Sequence, residues 1–289
     1  MRRIDRAFFA HGEFVSYYEA EAWADGIHVM IESLENLCDA GHPDAVAELA
    51  EHVFSCADEA MNYVDDSDGH LTRIIDRLSD LHLRSCREGT ADPVELAARL
   101  GKLELSSELD GFHRAAASYV DVLGEAGLAE YRRLLEPQWR KIKPTDDPYG
   151  AAFAIRQAMV GWALATGDPD ALIDVHSWDE PSPQDVLEIA TALEAAGRSD
   201  EAISWAQRCI AENWSRTRQT DELREFLSRR LDARHDHHQI GRRRPATAHP
   251  RPQGPQCLTL RQCSWRYCSS KGTAAQRGMQ QPNSAADRR

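Results

Sequence analysis

Four Gly-x-x-Asp junctions punctuate this chain: Gly41-His42-Pro43-Asp44, Gly89-Thr90-Ala91-Asp92, Gly167-Asp168-Pro169-Asp170 and Gly197-Arg198-Ser199-Asp200. Each separates one apolar stripe from the next. A glycine takes the left-handed position that closes a helix at little cost, and a carboxylate shortly after it sits where the next helix's dipole favours negative charge. Gly127-Leu128-Ala129-Glu130 is a looser fifth instance, and successive junctions lie 48, 38, 40 and 30 residues apart. A chain cut this way folds as a succession of divergent helical hairpins, which bury their apolar faces on their neighbours.

The stripes themselves have helical period. Trp23, Ile27, Met30, Ile31, Leu34 and Leu37 recur at steps of three and four residues, as do Val46, Leu49, Ala50, Val53, Phe54, Ala57, Met61 and Val64, and then Leu71, Ile74, Ile75, Leu78 and Leu81. Asp92-Pro93, Asp147-Pro148, Asp168-Pro169 and Ser182-Pro183 each place a capping oxygen before a proline at the first helical position. Ser182 is followed by Asp185, a variant of the capping box. No run alternates in the manner of a strand, so the body is predicted to be all-α.

The clearest hairpin pairs Val186, Ile189, Ala190 and Leu193 with Ala202, Ala206, Cys209 and Ile210 across Gly197. It resembles a tetratricopeptide repeat, with Ala190 and Ala202 at close-packing positions and Leu193 at a bulky one. The likeness covers about one repeat of roughly 34 residues. It departs at Ala206, where the family has an aromatic, and at Trp214, where it has a closing proline. The fold expected is therefore an irregular α-α hairpin solenoid, a tetratricopeptide-like superhelix, over residues 1–231. Trp23, Trp139, Trp162, Trp178, Trp205 and Trp214 read mostly as core residues or wedges between repeats, with one or two left as partner anchors.

Charge divides the chain. Residues 232–289 hold 11 Lys and Arg against 3 Asp and Glu, a net of +8, whereas residues 1–231 hold 23 against 44, a net of −21. Residues 232–289 contain no Glu, five prolines, and Cys257, Cys263 and Cys268 at spacings that match no zinc module. Three readings of this basic tail stand side by side: a disordered arm, out-of-frame translation, or an arm whose Arg242, Arg243 and Arg244 neutralise nucleic-acid phosphates without regard to sequence. The cluster His235-Asp236-His237-His238 reads as a place where nickel or zinc would bind adventitiously.

Function is less legible. No segment approaches the roughly 18 apolar residues of a membrane helix, and the N-terminus lacks a secretory h-region. Seven cysteines without framework spacing point to a reducing cytoplasm. The loop Asp65-Asp66-Ser67-Asp68-Gly69 fails as a calcium loop, because Val64 and Ile75 fall at ligand positions. It reads as a solvated turn in which Asp68 or Ser67 caps the next helix, with Asp65, Asp66 and Asp68 as a candidate contact for a partner. His52 with Cys56 and His82 with Cys86 suggest a Cys2His2 zinc site, but an antiparallel turn near Ser67 sets the two sulfurs about 12 Å apart at 1.5 Å per residue. No four-ligand site is expected. His113 and Arg114 beside Glu108 and Asp110 read as a surface ion-pair cluster or the wall of a polar groove. No GxSxG, HExxH, Walker or GxGxxG motif is present, so no enzyme is expected.

Several segments together resemble the C-terminal helical region of bacterial SWIM-type zinc finger proteins. They are Ile4-Asp5-Arg6-Ala7 with Tyr17-Tyr18, Gly26-Ile27, Ile31-Glu32-Ser33-Leu34-Glu35-Asn36-Leu37, Val64 to Gly69, and Tyr119 to Leu128. The likeness spans most of residues 1–231. The family's CxC and CxH zinc module is absent, so no zinc ligand and no cofactor carries over to this chain. The resemblance implies that such a module lies upstream of Met1. It also implies zinc binding and contact with DNA or protein for the intact molecule. The function expected is a non-catalytic scaffold holding a protein or peptide on a concave helical surface. The alternative is a nucleic-acid-associated regulator acting through the tail or the missing module.

Overall fold

The computed structural model describes residues 1–9, 14–107, 109–143, 150–178, 180–212 and 218–242, with side chains described as far as residue 231, Asp110 excepted. Within them lie twelve α-helices: α1 (Arg2–Phe9), α2 (Tyr17–Asp39), α3 (Pro43–Ala60), α4 (His70–Glu88), α5 (Pro93–Ser106), α6 (Ala115–Ser118), α7 (Val120–Trp139), α8 (Ala151–Thr166), α9 (Pro169–His176), α10 (Pro183–Ala195), α11 (Ser199–Glu212) and α12 (Arg218–Arg242). A single 3-10 turn, Asp110–Phe112, precedes α6. The fold of the described residues is all-α. Their one extended pairing is an isolated parallel bridge between Val15 and Val64. None of their helices is long and apolar enough to cross a membrane.

The apolar stripes face the core as their spacing predicts, except at Met61, which follows the end of α3 and is exposed. Ile27, Ile31, Val46, Ala50, Val53, Phe54, Ile74 and Leu78 are buried in one continuous cluster. Helix α3 packs on α4, α5 on α7, α8 on α6, α7 and α9, and α10 on α11 and α12. Burial of a side chain of this size contributes about 1.5–3 kcal/mol before entropy is counted, so packing rather than propensity holds these helices.

The helix punctuation is also as read. The Asp92 side chain accepts from the N–H of Val94 and Glu95, and Asp168 from Asp170 and Ala171. Ser182 and Asp185 form the reciprocal capping box. Gly41, Gly167 and Gly197 have φ of 88°, 63° and 77°, the left-handed region that favours glycine. Two junctions differ. Gly89 is extended, and a Cβ there would press on the Ser85 carbonyl oxygen at 2.9 Å as well as on the Asp44 carboxylate. Gly127-Leu128-Ala129-Glu130 is no junction but lies inside α7; the interruption falls three residues earlier, at Gly124 (φ 53°, ψ −166°).

The true junctions touch one another in pairs. Asp44 of the first accepts from the Thr90 N–H at 2.7 Å and the Thr90 hydroxyl at 2.9 Å in the second. Arg198 of the fourth donates to Asp170 of the third at 2.7 Å. At the far end α12 is helical through Arg242, so the composition boundary after Leu231 falls within a helix. Asp147-Pro148, Trp214 and the whole of 243–289 lie outside the described residues.

Candidate functional site

Helix α10 carries two stripes. Val186, Ile189, Ala190 and Leu193 are buried, the face that packs within the hairpin. A second row, Gln184, Leu187, Glu188, Thr191, Ala192 and Ala195, advances by the same three- and four-residue steps and faces a groove of about 530 Å³. The other wall is the end of α8, where Ala163 and Gly167 keep the surface low beside Leu164. An amphipathic helix ordinarily shows charge on this side. Here it shows a half-apolar trough of small residues.

Glu188 sits in that groove and ties it to a buried polar network. Arg114 Nη1 donates to Glu188 Oε1 at 2.8 Å, and Arg114 Nε donates to Gln157 Oε1 at 2.8 Å. The Arg114 backbone is left-handed (φ 54°, ψ 41°), uncommon for a side chain other than glycine. Glu104 of α5 fixes this turn. It accepts the Arg114 N–H at 2.7 Å, the Ala115 N–H at 3.3 Å and the Tyr131 hydroxyl. Burial raises the Glu104 pKa to about 7 against the pull of these donors, and burial with the Glu104 charge raises Tyr131 well above its ordinary value. Glu104 and Gln157 also line a second cavity of about 490 Å³, together with Phe112, His113 and Phe153. There the His113 and Phe153 rings stack at 6.4 Å.

The network ends at His176, the last residue of α9, which is buried. Its Nδ1 lies 3.1 Å from Asp185 Oδ1 and its Nε2 lies 3.3 Å from Glu188 Oε2. Burial lowers the pKa of His176, but the hydrogen bonds and charges of the two carboxylates outweigh it and leave the pKa raised.

Arg114 is central, but its partners are Glu104, Gln157 and Glu188. Glu108 and the Asp110 side chain lie outside the described residues. In the acidic loop Asp65 accepts from the Ser67 backbone and hydroxyl, and it is Asp66, not Asp68 or Ser67, that accepts from the α4 backbone, at Leu71 N. Asp66 wins because its carboxylate reaches over the left-handed Gly69 that begins the helix. Asp68 instead borders a cleft of about 480 Å³ with Tyr17, Tyr18 and Arg73. Arg242 closes α12, its side chain not among those described, and Arg243 and Arg244 lie beyond the described residues.

The two His-Cys pairs go to separate partners. The register expected for α3 and α4 is observed, since Glu51, the neighbour of His52, reaches His82 Nε2 at 3.4 Å. His52 faces the other way, toward Asp5 of α1 at 2.6 Å. Spacing along α3 gives no sign of Asp5, which is 47 residues distant.

Comparison of the chain with protein-family models, curated proteins and solved structures yields no match.

Proposed function

We propose that this chain is a non-catalytic helical-repeat scaffold, tetratricopeptide-like in arrangement, that seats a peptide or helix of a protein partner in the groove between α8 and α10. The second, half-apolar stripe of α10 carries this reading. Small side chains on both walls let an incoming backbone approach closely, and helix-in-groove recognition uses such a trough. The paired junctions support the repeat arrangement, because Asp44 with Thr90 and Asp170 with Arg198 set successive turns side by side. The same reading takes the chain as related to the helical region of SWIM-type proteins, on the likeness of the segments named above. The body's charge of −21 disfavours nucleic acid and favours a basic partner segment. Contact with nucleic acid through the tail, net +8, is the second reading. It requires a steep salt dependence that disappears when Arg242, Arg243 and Arg244 are replaced.

The test is selection of peptides from a displayed random library on the full chain, followed by titration against Ala192→Arg and Leu187→Glu variants. Selected peptides should lose at least about tenfold in affinity for variants whose helicity is unchanged, a loss of about 1.4 kcal/mol. Equal affinity for wild type and variants overturns the assignment of the groove.

A further inference from the structure

Cys56, His52 and Asp5 bring three different donor atoms to one point at the contact of α1 with α3. His52 Nε2 lies 2.6 Å from Asp5 Oδ1, and Cys56 Sγ lies 3.8 Å from the same nitrogen and 3.9 Å from the same oxygen. His52 and Cys56 are one helical turn apart and so share a face of α3. Asp5 is delivered by α1, whose Ile4 and Phe8 are buried in the core on either side of it.

Which atoms converge decides the chemistry. A Cys-His-Asp relay needs the imidazole to address the thiol with one nitrogen and the carboxylate with the other. Here one nitrogen faces both, which rules out that arrangement. A metal ion requires the opposite, one atom from each ligand around a common centre. Bonds of about 2.3 Å to sulfur and 2.0–2.2 Å to nitrogen or oxygen set tetrahedral donors about 3.3–3.6 Å apart. Closing the two sulfur edges and opening the nitrogen–oxygen edge to that spacing takes side-chain shifts below about 1 Å, within rotamer play at a partly exposed site. Cys56 is 4% exposed, whereas the Asp5 and His52 side chains are 47% and 30% exposed, which leaves the fourth position open to water.

We propose that Asp5, His52 and Cys56 form a three-ligand site for a thiophilic divalent cation of the zinc type, clamping α1 onto α3. The inference is independent of the groove. On binding, the Cys56 thiol gives up its proton to solvent as the sulfur–metal bond forms. The His52 ring places its proton on Nδ1 so that Nε2 donates its lone pair, and the Asp5 carboxylate binds as it stands. A cysteine thiol is protonated at neutral pH, so binding there releases about one proton per ion.

The probe is Co²⁺, titrated under reducing, metal-free conditions into the full-length chain in which Cys257, Cys263 and Cys268 are replaced by Ser, and His235, His237 and His238 by Ala. One equivalent should bind with a sulfur-to-cobalt charge-transfer band, displaced by Zn²⁺. Cys56→Ser should abolish the band. Asp5→Asn, an isosteric change at a half-exposed position, should keep the band but weaken binding at least about tenfold, the lower figure for disturbing even an outer partner of a metal ligand. No charge-transfer band at saturating Co²⁺, a band that survives Cys56→Ser, or unchanged affinity in Asp5→Asn each overturns the site.

Discussion

Arg114 and Glu188 meet at 2.8 Å across a gap of 74 residues in sequence, and through this one ion pair the wall of one cavity is joined to the lining of the α8–α10 groove. Both side chains are largely buried. Replacing Arg114 by Ala strands the Glu188 carboxylate and the Gln157 amide, at a cost of about 2–4 kcal/mol. Arg114→Lys recovers only part of it, because a single ammonium cannot replace the guanidinium fork that reaches both partners. Arg114→Gly should be more stable than Arg114→Ala by about 1 kcal/mol, since glycine removes the left-handed strain. Urea unfolding of the three variants measures this order, and Ala equal to Gly would show the turn to be unstrained.

Gly161 of α8 lies directly under the same turn. A Cβ at this position would sit 2.7 Å from Arg114 Cα and 2.9 Å from its carbonyl carbon, backbone that has little freedom to yield. Gly161→Ala should therefore destabilise by about 1–3 kcal/mol despite the better helix propensity of alanine. A thermal melt that rises in the variant would contradict the packing of α6 on α8.

Glu104 makes stability fall as pH rises. Its folded pKa is about 7 against an ordinary 4.5, so between those values the folded chain holds a proton that the unfolded chain has released. The stabilisation is complete below about 4.5 and lost as pH passes about 7, with a span of about 3 kcal/mol. The difference in unfolding free energy between wild type and Glu104→Gln should shrink over that window. A difference that grows with pH would reverse the sign and the account.

His176 acts in the same direction on the contact between α9 and α10. Its pKa is raised, so its contribution is whole below the ordinary 6.5 and disappears as pH rises through the folded value. Asp185, held at about 2 by His176 and the Ser182 cap against the effect of burial, contributes above its ordinary 3.8 and loses this as pH falls through about 2. The contact is thus firmest between about pH 4 and 6.5. Titration of the His176 imidazole by NMR should give a midpoint above 6.5, and a midpoint below it would contradict the two-carboxylate setting.

Local features were legible in the sequence because their causes are local. Asp92, Asp168 and Ser182 cap helices through atoms two or three residues away, and Gly41, Gly167 and Gly197 close helices through their own backbone. Gly127 misled because a glycine serves equally where helices press together: its Cβ would meet the Pro93 carbonyl at 2.8 Å. The sites were illegible for a related reason. Asp5 with His52, Glu104 with Tyr131 and Arg114 with Glu188 join residues 27 to 74 positions apart, and helical period carries no record of which hairpins stack. The second stripe of α10, with Leu187, Ala192 and Ala195, has helical period of its own, but that period does not say that α8 lies beside it.

If this trough receives a partner segment, filling it must weaken binding. The most direct measurement is the affinity of a library-selected peptide for the full chain and for Ala192→Arg, by fluorescence anisotropy at fixed ionic strength, with circular dichroism confirming equal helix content. The variant should bind at least about tenfold more weakly, a loss of about 1.4 kcal/mol. Equal affinities, or failure of the wild-type chain to select any peptide, would contradict it.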